Sequence, residues 1–239
     1  MKAEELSFIG GDPGATKYGN FINYYSFHST KERTDCLHPD MFVSSITTQP
    51  ILCLDIGCNT GELSKDIYLY LKNIYPKYVI KMLGIDIDPT LIQRAKETND
   101  NPNINFTVAN IMNETDKEVI EKYLESHEKN KFDITFCFSV TMWIHINNGD
   151  EGLLYFLSFI QDISETIIIE PQPWKCYRNA QRRMRKSGSS FPLYEQIKIK
   201  NIDIVIENIL NKDPFKKVYE SLATAWNRKI QSYQRVLEQ

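Results

Sequence analysis

The chain has 239 residues, 42% of them hydrophobic and 25% charged, a composition typical of one globular domain with a sizeable core. Its 28 Lys and Arg residues stand against 31 Asp and Glu residues, so any surface that binds nucleic acid has to be a local basic patch. The five cysteines include no C-x-x-C pair and the four histidines no H-E-x-x-H spacing, which argues against a disulfide scaffold and against a metal site.

The N-terminus lacks the apolar core of a secretory signal, and no apolar run approaches the roughly 18–20 residues of a membrane span. We therefore expect a soluble, monomeric protein with reduced cysteines, in the cytoplasm or also in the nucleus. Residues 1–17 are polar and rich in glycine, which predicts a flexible N-terminal tail. Residues 18–239 are then a single domain that opens with an aromatic stretch, Tyr18–Tyr25.

Short apolar runs alternate with segments of helical spacing along the chain. This alternation indicates a parallel sheet with helices on both faces, and strands so uniformly apolar are buried on both faces. The expected strands are residues 51–56, 79–87, 104–109, 132–140 and 166–170, and the expected helices are residues 62–74, 89–98, 114–126 and 152–163. Residues 215–225 and 230–237 predict a closing antiparallel pair, which makes an α/β fold with a mostly parallel, twisted sheet of about seven strands.

A glycine-containing turn, Asp55–Gly61, follows the first expected strand. Gly57 and Gly61 allow a ligand to approach the backbone, although glycines also simply end strands. Asp86 lies at the tip of the second strand, where Rossmann-like folds hold a ribose diol, whereas Asp88 before Pro89 suits a helix N-cap.

Asn110 follows the third expected strand, where a polar side chain can meet the adenine amine. This order of features is the signature of class I methyltransferases, which are Rossmann-like. No P-loop lysine is present. The turn therefore suits a zwitterionic cofactor such as S-adenosylmethionine.

Two further stretches, Ser139–Gly152 and Glu170–Tyr177, are more specific. Together with Tyr18–Tyr25 and Leu54–Asn59, they resemble the bicoid-interacting-protein-3 family of RNA methyltransferases. The resemblance is strong over roughly residues 18–186 and weak beyond them. The family includes an enzyme that caps the γ-phosphate of a small nuclear RNA and a shorter branch that methylates RNA 5′-monophosphates. Histidine tRNA and some microRNA precursors are substrates of that branch. The W-K-C-Y sequence and the short length of the present chain resemble this branch.

The resemblance implies a set of cofactor contacts, to which the glycine turn adds Asp55 and Gly61. A guanidinium meets a carboxylate bidentately, so Arg33 suits the methionine carboxylate of the cofactor, although without the family it reads as a solvated charge. Asn110 departs from the acid that the family has there, yet an amide still bonds to adenine. The implied contacts are Tyr24, Arg33, Gly57, Asn59, Asp86, Ile87 and Asn110.

The expected acceptor is a phosphate oxygen, which is already anionic and needs no general base, so positioning carries the catalysis. His145, just after the fourth strand, is a candidate donor to the phosphate with Asn147 and Asn148, or else a packed histidine. Gln172 and Trp174 are candidates to face the terminal nucleotide, Trp174 by stacking, or else belong to an ordinary loop with a buried tryptophan.

A basic run follows this loop and contains no acid. In a net-acidic chain it predicts a surface that binds RNA phosphates, although a charge run is more often only a solvated face. Arg178, Arg182 and Arg185 share one helical face. The expected RNA-binding residues are Lys175, Arg178, Arg182, Arg183, Arg185 and Lys186.

The main hypothesis is methylation of the 5′-monophosphate of a small RNA, with S-adenosylmethionine as cofactor. The alternatives are a capping enzyme that acts on a 5′-triphosphate end, an RNA chaperone that binds the cofactor without catalysis, and a small-molecule methyltransferase. The basic run argues against the last of these, and the intact glycine turn with Asp86 argues against loss of cofactor binding.

Overall fold

A computed structural model describes residues 6–7, 14–42 and 49–236. The expected strands and helices form, with ends that shift by one or two residues in most cases. The strands are β1 (Ile51–Ile56), β2 (Ile80–Asp86), β3 (Ile104–Val108), β4 (Phe132–Phe138), β5 (Ser164–Glu170), β6 (Phe215–Glu220) and β7 (Gln231–Arg235). The helices are α1 (Thr30–Asp35), α2 (Glu62–Ile74), α3 (Pro89–Glu97), α4 (Glu114–Glu125), α5 (Thr141–Asp162), α6 (Trp174–Lys186) and α7 (Ile202–Leu210).

The strands form one seven-stranded sheet in the order β3-β2-β1-β4-β5-β7-β6. β1 to β5 are parallel, and β7 lies antiparallel between β5 and β6. The predicted class I methyltransferase fold, including its closing antiparallel pair, is confirmed. The chain leaves β1 toward β3 and then returns to β4, so the switch of direction lies at the carboxyl ends of β1 and β4, where such sheets bind ligands.

The central strands bury both faces, because neighbouring side chains along a strand point to opposite sides. Leu52 and Leu54 pack into the core on one side of the sheet, and Ile51 and Cys53 into the core on the other. The two cores pack the sheet between its helical layers. None of the helices in the described ranges is both long and apolar enough to cross a membrane.

The largest difference from the predicted elements follows β4. The strand ends at Phe138 rather than at residue 140, and α5 begins at Thr141, well before the expected helix at 152–163. A kink at Gly149, whose φ is 71°, divides α5 into two segments. Helices α1 and α7 were not expected at all.

The predicted N-terminal tail is too long. Residues 1–5 and 8–13 lie outside the described residues, but Ala15 and Thr16 are buried. The Asn147 side chain on α5 donates to the Lys17 carbonyl oxygen over 2.8 Å, and Arg183 on α6 donates to the Gly14 carbonyl oxygen over 2.8 Å. The ordered part of the domain therefore begins before Tyr18.

Candidate active site

A cavity lies at the carboxyl ends of β1, β2 and β4, under the segment that contains the first aromatic residues. It brings together eight of the nine residues that we expected around the cofactor. These are Tyr24, Arg33, Asp55, Gly57, Asn59, Asp86, Ile87 and Asn110.

The two glycines of the turn after β1 have different tasks. Gly57 lines the cavity with φ at 77°, and a Cβ there would come within 3.1 Å of Val140. Gly61, with φ at 75°, lies against the ring of Phe106, where a Cβ would approach to 2.4 Å. Gly61 therefore permits the turn to pack on β3 and is not among the residues that line the cavity, contrary to the expected cofactor contact.

Asp86 is buried at the tip of β2 and organises the glycine turn. Its two carboxylate oxygens accept hydrogen bonds from the backbone nitrogens of Asn59 (2.9 Å) and Asp88 (3.0 Å). Burial raises the pKa of Asp86 to about 6, despite these hydrogen bonds. Asp88 caps α3 by accepting from the Thr90 nitrogen over 2.8 Å, as its position before a proline indicated.

Asp55 is the second buried carboxylate of the cavity. It accepts a hydrogen bond of 2.5 Å from the Ser64 hydroxyl on α2, which ties the end of β1 to the helix. Burial, together with the charge of Asp86, raises the pKa of Asp55 to about 6. This side of the cavity therefore carries two acids whose burial disfavours the charged form, although both are still mostly ionised at neutral pH.

Asn110 and the next two residues form the far wall of the cavity. The Asn110 side-chain oxygen accepts from the Met112 nitrogen over 3.0 Å, and the Asn110 backbone nitrogen donates to Asp116 over 2.8 Å. These bonds hold the loop after β3 in a fixed shape, with Ile111 and Met112 as apolar neighbours.

Arg33 is almost completely buried, with 1% of its surface exposed. Its Nη2 donates to Glu170 (2.9 Å), Tyr24 (2.7 Å) and Ser139 (2.9 Å), whereas Nη1 is buried and has no hydrogen-bond partner among the described residues. Burial lowers the pKa of Arg33, but the Glu170 carboxylate raises it by more, so the guanidinium stays charged. Arg33 therefore offers an unused donor beside the cavity, as a ligand carboxylate requires.

Sequence reasoning missed a group of residues on the β4 and β5 side. The Glu170 carboxylate is buried at the end of β5 and accepts from Arg33 and from the Trp226 indole (2.9 Å). Burial raises the pKa of Glu170, but Arg33 and Arg228 lower it by more. Arg228 donates to Ser139 over 2.7 Å. The only signal in the sequence was an arginine and a tryptophan in the short connection between the last two expected strands.

Comparisons with known proteins agree with this architecture. Residues 132–235 match the family described as Bicoid-interacting protein 3 (Bin3), and residues 54–153 match a methyltransferase domain. A Xenopus laevis protein named pre-miRNA 5′-monophosphate methyltransferase is 39% identical over 92% of this chain and 92% of its own length. The chain belongs to the Bin3 family of methyltransferases.

Two other family members are also similar. A Homo sapiens protein named RNA 5′-monophosphate methyltransferase is 36% identical over 95% of this chain and 83% of its own length. A Drosophila melanogaster protein named U6 snRNA methylphosphate capping enzyme Amus is 32% identical over 84% of this chain and 64% of its own length.

The fold also matches solved structures. A SAM-dependent methyltransferase from Methanosarcina mazei superposes with a TM-score of 0.50 at 15% identity, covering 80% of this chain and 95% of that chain. LepI in complex with SAM gives a TM-score of 0.52 at 14% identity, over 85% of this chain and 47% of that chain. As a methyltransferase of the Bin3 family, the present chain uses S-adenosylmethionine as its cofactor.

His145 does not lie where the Bin3-family motif led us to expect a phosphate donor. It is fully buried, and its ring nitrogens contact the Tyr177 hydroxyl (3.1 Å) and Asp150 (2.8 Å). Burial lowers its pKa, although Asp150 opposes the shift. Because α5 begins directly after β4, its first turns carry His145 into the core. The expected contact with phosphate is wrong for this structure, whereas Asn147 and Asn148 do line the cavity.

Gln172 and Trp174 also lie outside the cavity. The buried Gln172 amide donates to the Ser139 carbonyl (2.6 Å) and accepts from the Met142 nitrogen (3.1 Å), so it joins the ends of β4 and β5. The Trp174 ring stacks on Tyr177 and Tyr194, with centroids 5.0 and 5.4 Å apart. Gln172 is buried by this packing, contrary to its expected contact with the terminal nucleotide. Trp174 is partly exposed, and its expected stacking on that nucleotide stays a prediction.

The basic run forms α6, and five of its six cations are exposed. Arg178, Arg182 and Arg185 share a shallow groove with Tyr194. Arg183 instead points to the N-terminal segment, where its Nε donates to the Gly14 carbonyl oxygen over 2.8 Å, and it does not belong to the exposed face. The basic face of α6 is defined by Lys175, Arg178, Arg182, Arg185 and Lys186.

Proposed function

We propose that this chain transfers a methyl group from S-adenosylmethionine to an oxygen of the 5′-monophosphate of a small RNA. The observation that carries the proposal is the pair of buried arginines beside the cofactor cavity. Arg33 and Arg228 share the single carboxylate Glu170, which leaves one net positive charge where the cavity meets β4 and β5. A buried site with excess positive charge favours an anionic ligand. The names of the Xenopus laevis and Homo sapiens relatives support a 5′-monophosphate as that anion.

The residues of the cavity fit the cofactor from end to end. We assign the unpartnered Nη1 of Arg33 to the methionine carboxylate and Asp86 to the ribose hydroxyls. The loop after β3, with Asn110, Ile111 and Met112, is the place for the adenine. When bound, the cofactor supplies a methyl group activated on a sulfonium sulfur.

The chemistry asks little of the protein beyond positioning. A phosphate oxygen attacks the methyl carbon, the new O–C bond forms as the S–C bond breaks, and the electron pair of the broken bond leaves the sulfur neutral. A phosphate monoester has its second pKa near 6, so the attacking oxygen is anionic at neutral pH and no side chain has to remove a proton. The chain therefore has to hold the phosphate in line with the methyl group and exclude water.

We further propose that the basic face of α6 binds the RNA backbone. Five exposed cations on one helix suit a row of phosphates, and the helix starts within four residues of Glu170. By family resemblance the RNA is a histidine tRNA or a microRNA precursor.

The test is transfer of labelled methyl groups to one RNA sequence that carries a 5′-monophosphate, a 5′-triphosphate or a 5′-hydroxyl. We expect methylation of the monophosphate only, because nothing in the proposed mechanism activates a hydroxyl. Preference for the triphosphate would instead favour a capping enzyme such as the Drosophila relative. Equal methylation of the hydroxyl RNA would contradict a phosphate acceptor.

A further inference from the structure

The connection between β6 and β7 contacts the side of the cavity that lies at the ends of β4 and β5. Arg228, from this connection, donates to the Ser139 hydroxyl over 2.7 Å and lies 3.7 Å from the Glu170 carboxylate and from the Cys176 sulfur. Ser139 itself lines the cavity and also accepts from Arg33, so the two guanidinium groups approach one hydroxyl from different segments of the chain.

Two donors of this cluster are buried without a partner among the described residues. They are Nε of Arg228, whose side chain is 10% exposed, and Nδ1 of His28. Buried polar atoms are nearly always hydrogen-bonded, so these two nitrogens, which lie behind the cavity residues Tyr24 and Ser139, have a donor to offer to a ligand. The unpaired Nη1 of Arg33 is a third such atom, which the proposed function assigns to the cofactor carboxylate.

His28 is held by aromatic rings on two sides. Its ring stacks on Tyr24 with centroids 4.8 Å apart and meets Trp226 edge to face at 4.9 Å. Burial, and then the charges of Arg228 and Arg33, lower the pKa of His28 to about 4. The imidazole is therefore neutral at physiological pH, so it can donate one hydrogen bond without adding charge.

Ser139 has an unusual backbone conformation. Its φ is 57°, a left-handed conformation that is uncommon for residues other than glycine. This conformation directs the hydroxyl toward Arg33, Arg228 and Glu170 at once. Strain of this kind persists where surrounding contacts impose it, as they do around ligand sites.

We propose that Arg228 and His28 form the seat of the 5′-phosphate, and that Arg228 is the residue by which the enzyme recognises that phosphate. Glu170 balances one of the two arginines, and the cofactor carboxylate assigned to Arg33 is offset by the ammonium and sulfonium charges of the cofactor itself, so an excess positive charge remains, which Arg228 presents to the acceptor. The inference rests on the proposed function, to which it adds the residues that read the 5′ end.

The test is a binding cycle that removes the phosphate and the guanidinium separately. A short RNA with a 5′-monophosphate and its 5′-hydroxyl twin are titrated into the wild type and into Arg228→Gln, each saturated with S-adenosylhomocysteine. We expect the wild type to prefer the monophosphate by about 10- to 100-fold, the range for a hydrogen-bonded charge pair. Arg228→Gln should remove most of this preference, leaving only the part that His28 contributes, and should leave the affinity for the hydroxyl RNA unchanged.

The control is Arg94→Gln, which removes an exposed arginine from α3 and should keep the wild-type preference. Cofactor affinity reports folding, because Arg228 is not assigned to the cofactor. If Arg228→Gln binds no cofactor, Arg228→Lys, which keeps the charge but lacks the forked donor, takes its place and should lower the preference in part.

Two results would overturn the inference. An unchanged preference in the variant would place the phosphate elsewhere, and equal weakening of both RNAs would mean that Arg228 only supports Glu170. Failure of the proposed function has a different signature, because the wild type would then neither prefer nor methylate the monophosphorylated RNA.

The substitution His28→Phe removes the ring nitrogens of His28 but keeps an aromatic ring at that position. The phenyl ring can keep the contacts with Tyr24 and Trp226, so cofactor affinity should not change. The preference for the monophosphate should fall by about 10-fold, the low end of the range for a hydrogen bond to a charged group. An unchanged preference would show that His28 does not bind the 5′-phosphate.

Discussion

The two halves of the active site are built in opposite ways. The cofactor half, at the ends of β1 and β2, is made of a glycine turn and two buried acids, Asp55 and Asp86, that lie within a few residues of their strands. The acceptor half, at the ends of β4 and β5, has a cationic cluster that joins α1, β5 and the connection before β7. In the proposed assignment, the acids face the ribose hydroxyls of the cofactor, and the arginines face its carboxylate and the acceptor phosphate. Arg33 belongs to the cationic cluster and is also assigned to the cofactor carboxylate, so cofactor affinity and acceptor recognition can be changed separately only through the other residues of each half.

The largest expected effect comes from the carboxylate that both arginines share. Glu170→Gln removes the charge that compensates Arg33 and Arg228, and breaking a buried ion pair from one side costs about 3–5 kcal/mol. We expect the free energy of unfolding to fall by that amount in urea titrations.

The matched control for this substitution is Glu165→Gln on the same strand. Glu165 lies 3.6 Å from Arg235 but is 38% exposed, so the control should cost less than about 1 kcal/mol. Similar costs for both variants would mean that the acceptor half does not depend on its buried charges.

Asp86→Ala tests the cofactor half alone. It removes the acceptor proposed for the ribose hydroxyls, and loss of a charge-assisted pair of hydrogen bonds costs on the order of 2–4 kcal/mol. We expect calorimetry to show cofactor binding weakened by at least that amount, because the glycine turn also loses the acceptor of the Asn59 and Asp88 nitrogens. Asp88→Asn, which keeps a helix cap, should bind the cofactor as the wild type does. Unchanged affinity in Asp86→Ala would reject the ribose assignment.

The two halves also differ in how far the sequence predicts them. Asp55, Gly57 and Asp86 stand at strand ends that hydrophobic pattern alone locates, so the cofactor half follows from local sequence. Arg228 reaches the site only because β7 inserts between β5 and β6, and no local pattern specifies that order.

His145 illustrates the same limit within one element. Its position after β4 correctly predicted the carboxyl edge of the sheet, but the rotation of α5 determines which side chains face the cavity. That rotation places Asn147 toward the cavity and His145 in the core, where Asp150 and Tyr177 satisfy its nitrogens. Packing of the whole helix, and not the motif, decides between them.

The basic face of α6 extends the acceptor half beyond the cavity, and salt dependence measures its contribution. Each phosphate contact with single-stranded nucleic acid contributes about −0.7 to the slope of log affinity against log salt. Alanine at Arg178, Arg182 and Arg185 should therefore flatten the slope by up to about 2 units, without a change in cofactor affinity. Arg185 also pairs with Glu195 in solvent, a contact of little energy, so it remains available to RNA.

A control for the basic face replaces three exposed cations of α3 and α4, namely Arg94, Lys96 and Lys122. This triple variant should keep the wild-type slope. The same slope in both triple variants would mean that α6 presents only a solvated face and that the RNA is held elsewhere.

The smallest expected effect is a pH dependence confined to the cofactor half. Burial raises the pKa of Asp55 and of Asp86 to about 6, so both carboxylates become neutral as the pH falls below that value. The ribose hydroxyls and the positive charges of the cofactor favour the ionised form of Asp86, so binding should be strongest above pH 7. If one carboxylate must be ionised, affinity at pH 5 should be about tenfold lower, because one group in roughly ten is then charged. The Asp86→Asn variant, although weaker, should lose most of this dependence, since only Asp55 still titrates. Calorimetric titrations of the cofactor from pH 5 to pH 8 make the measurement. Affinity that stays constant in the wild type over this range would show that neither acid needs its charge. The acidic character of the cofactor half would then make no contribution to cofactor binding.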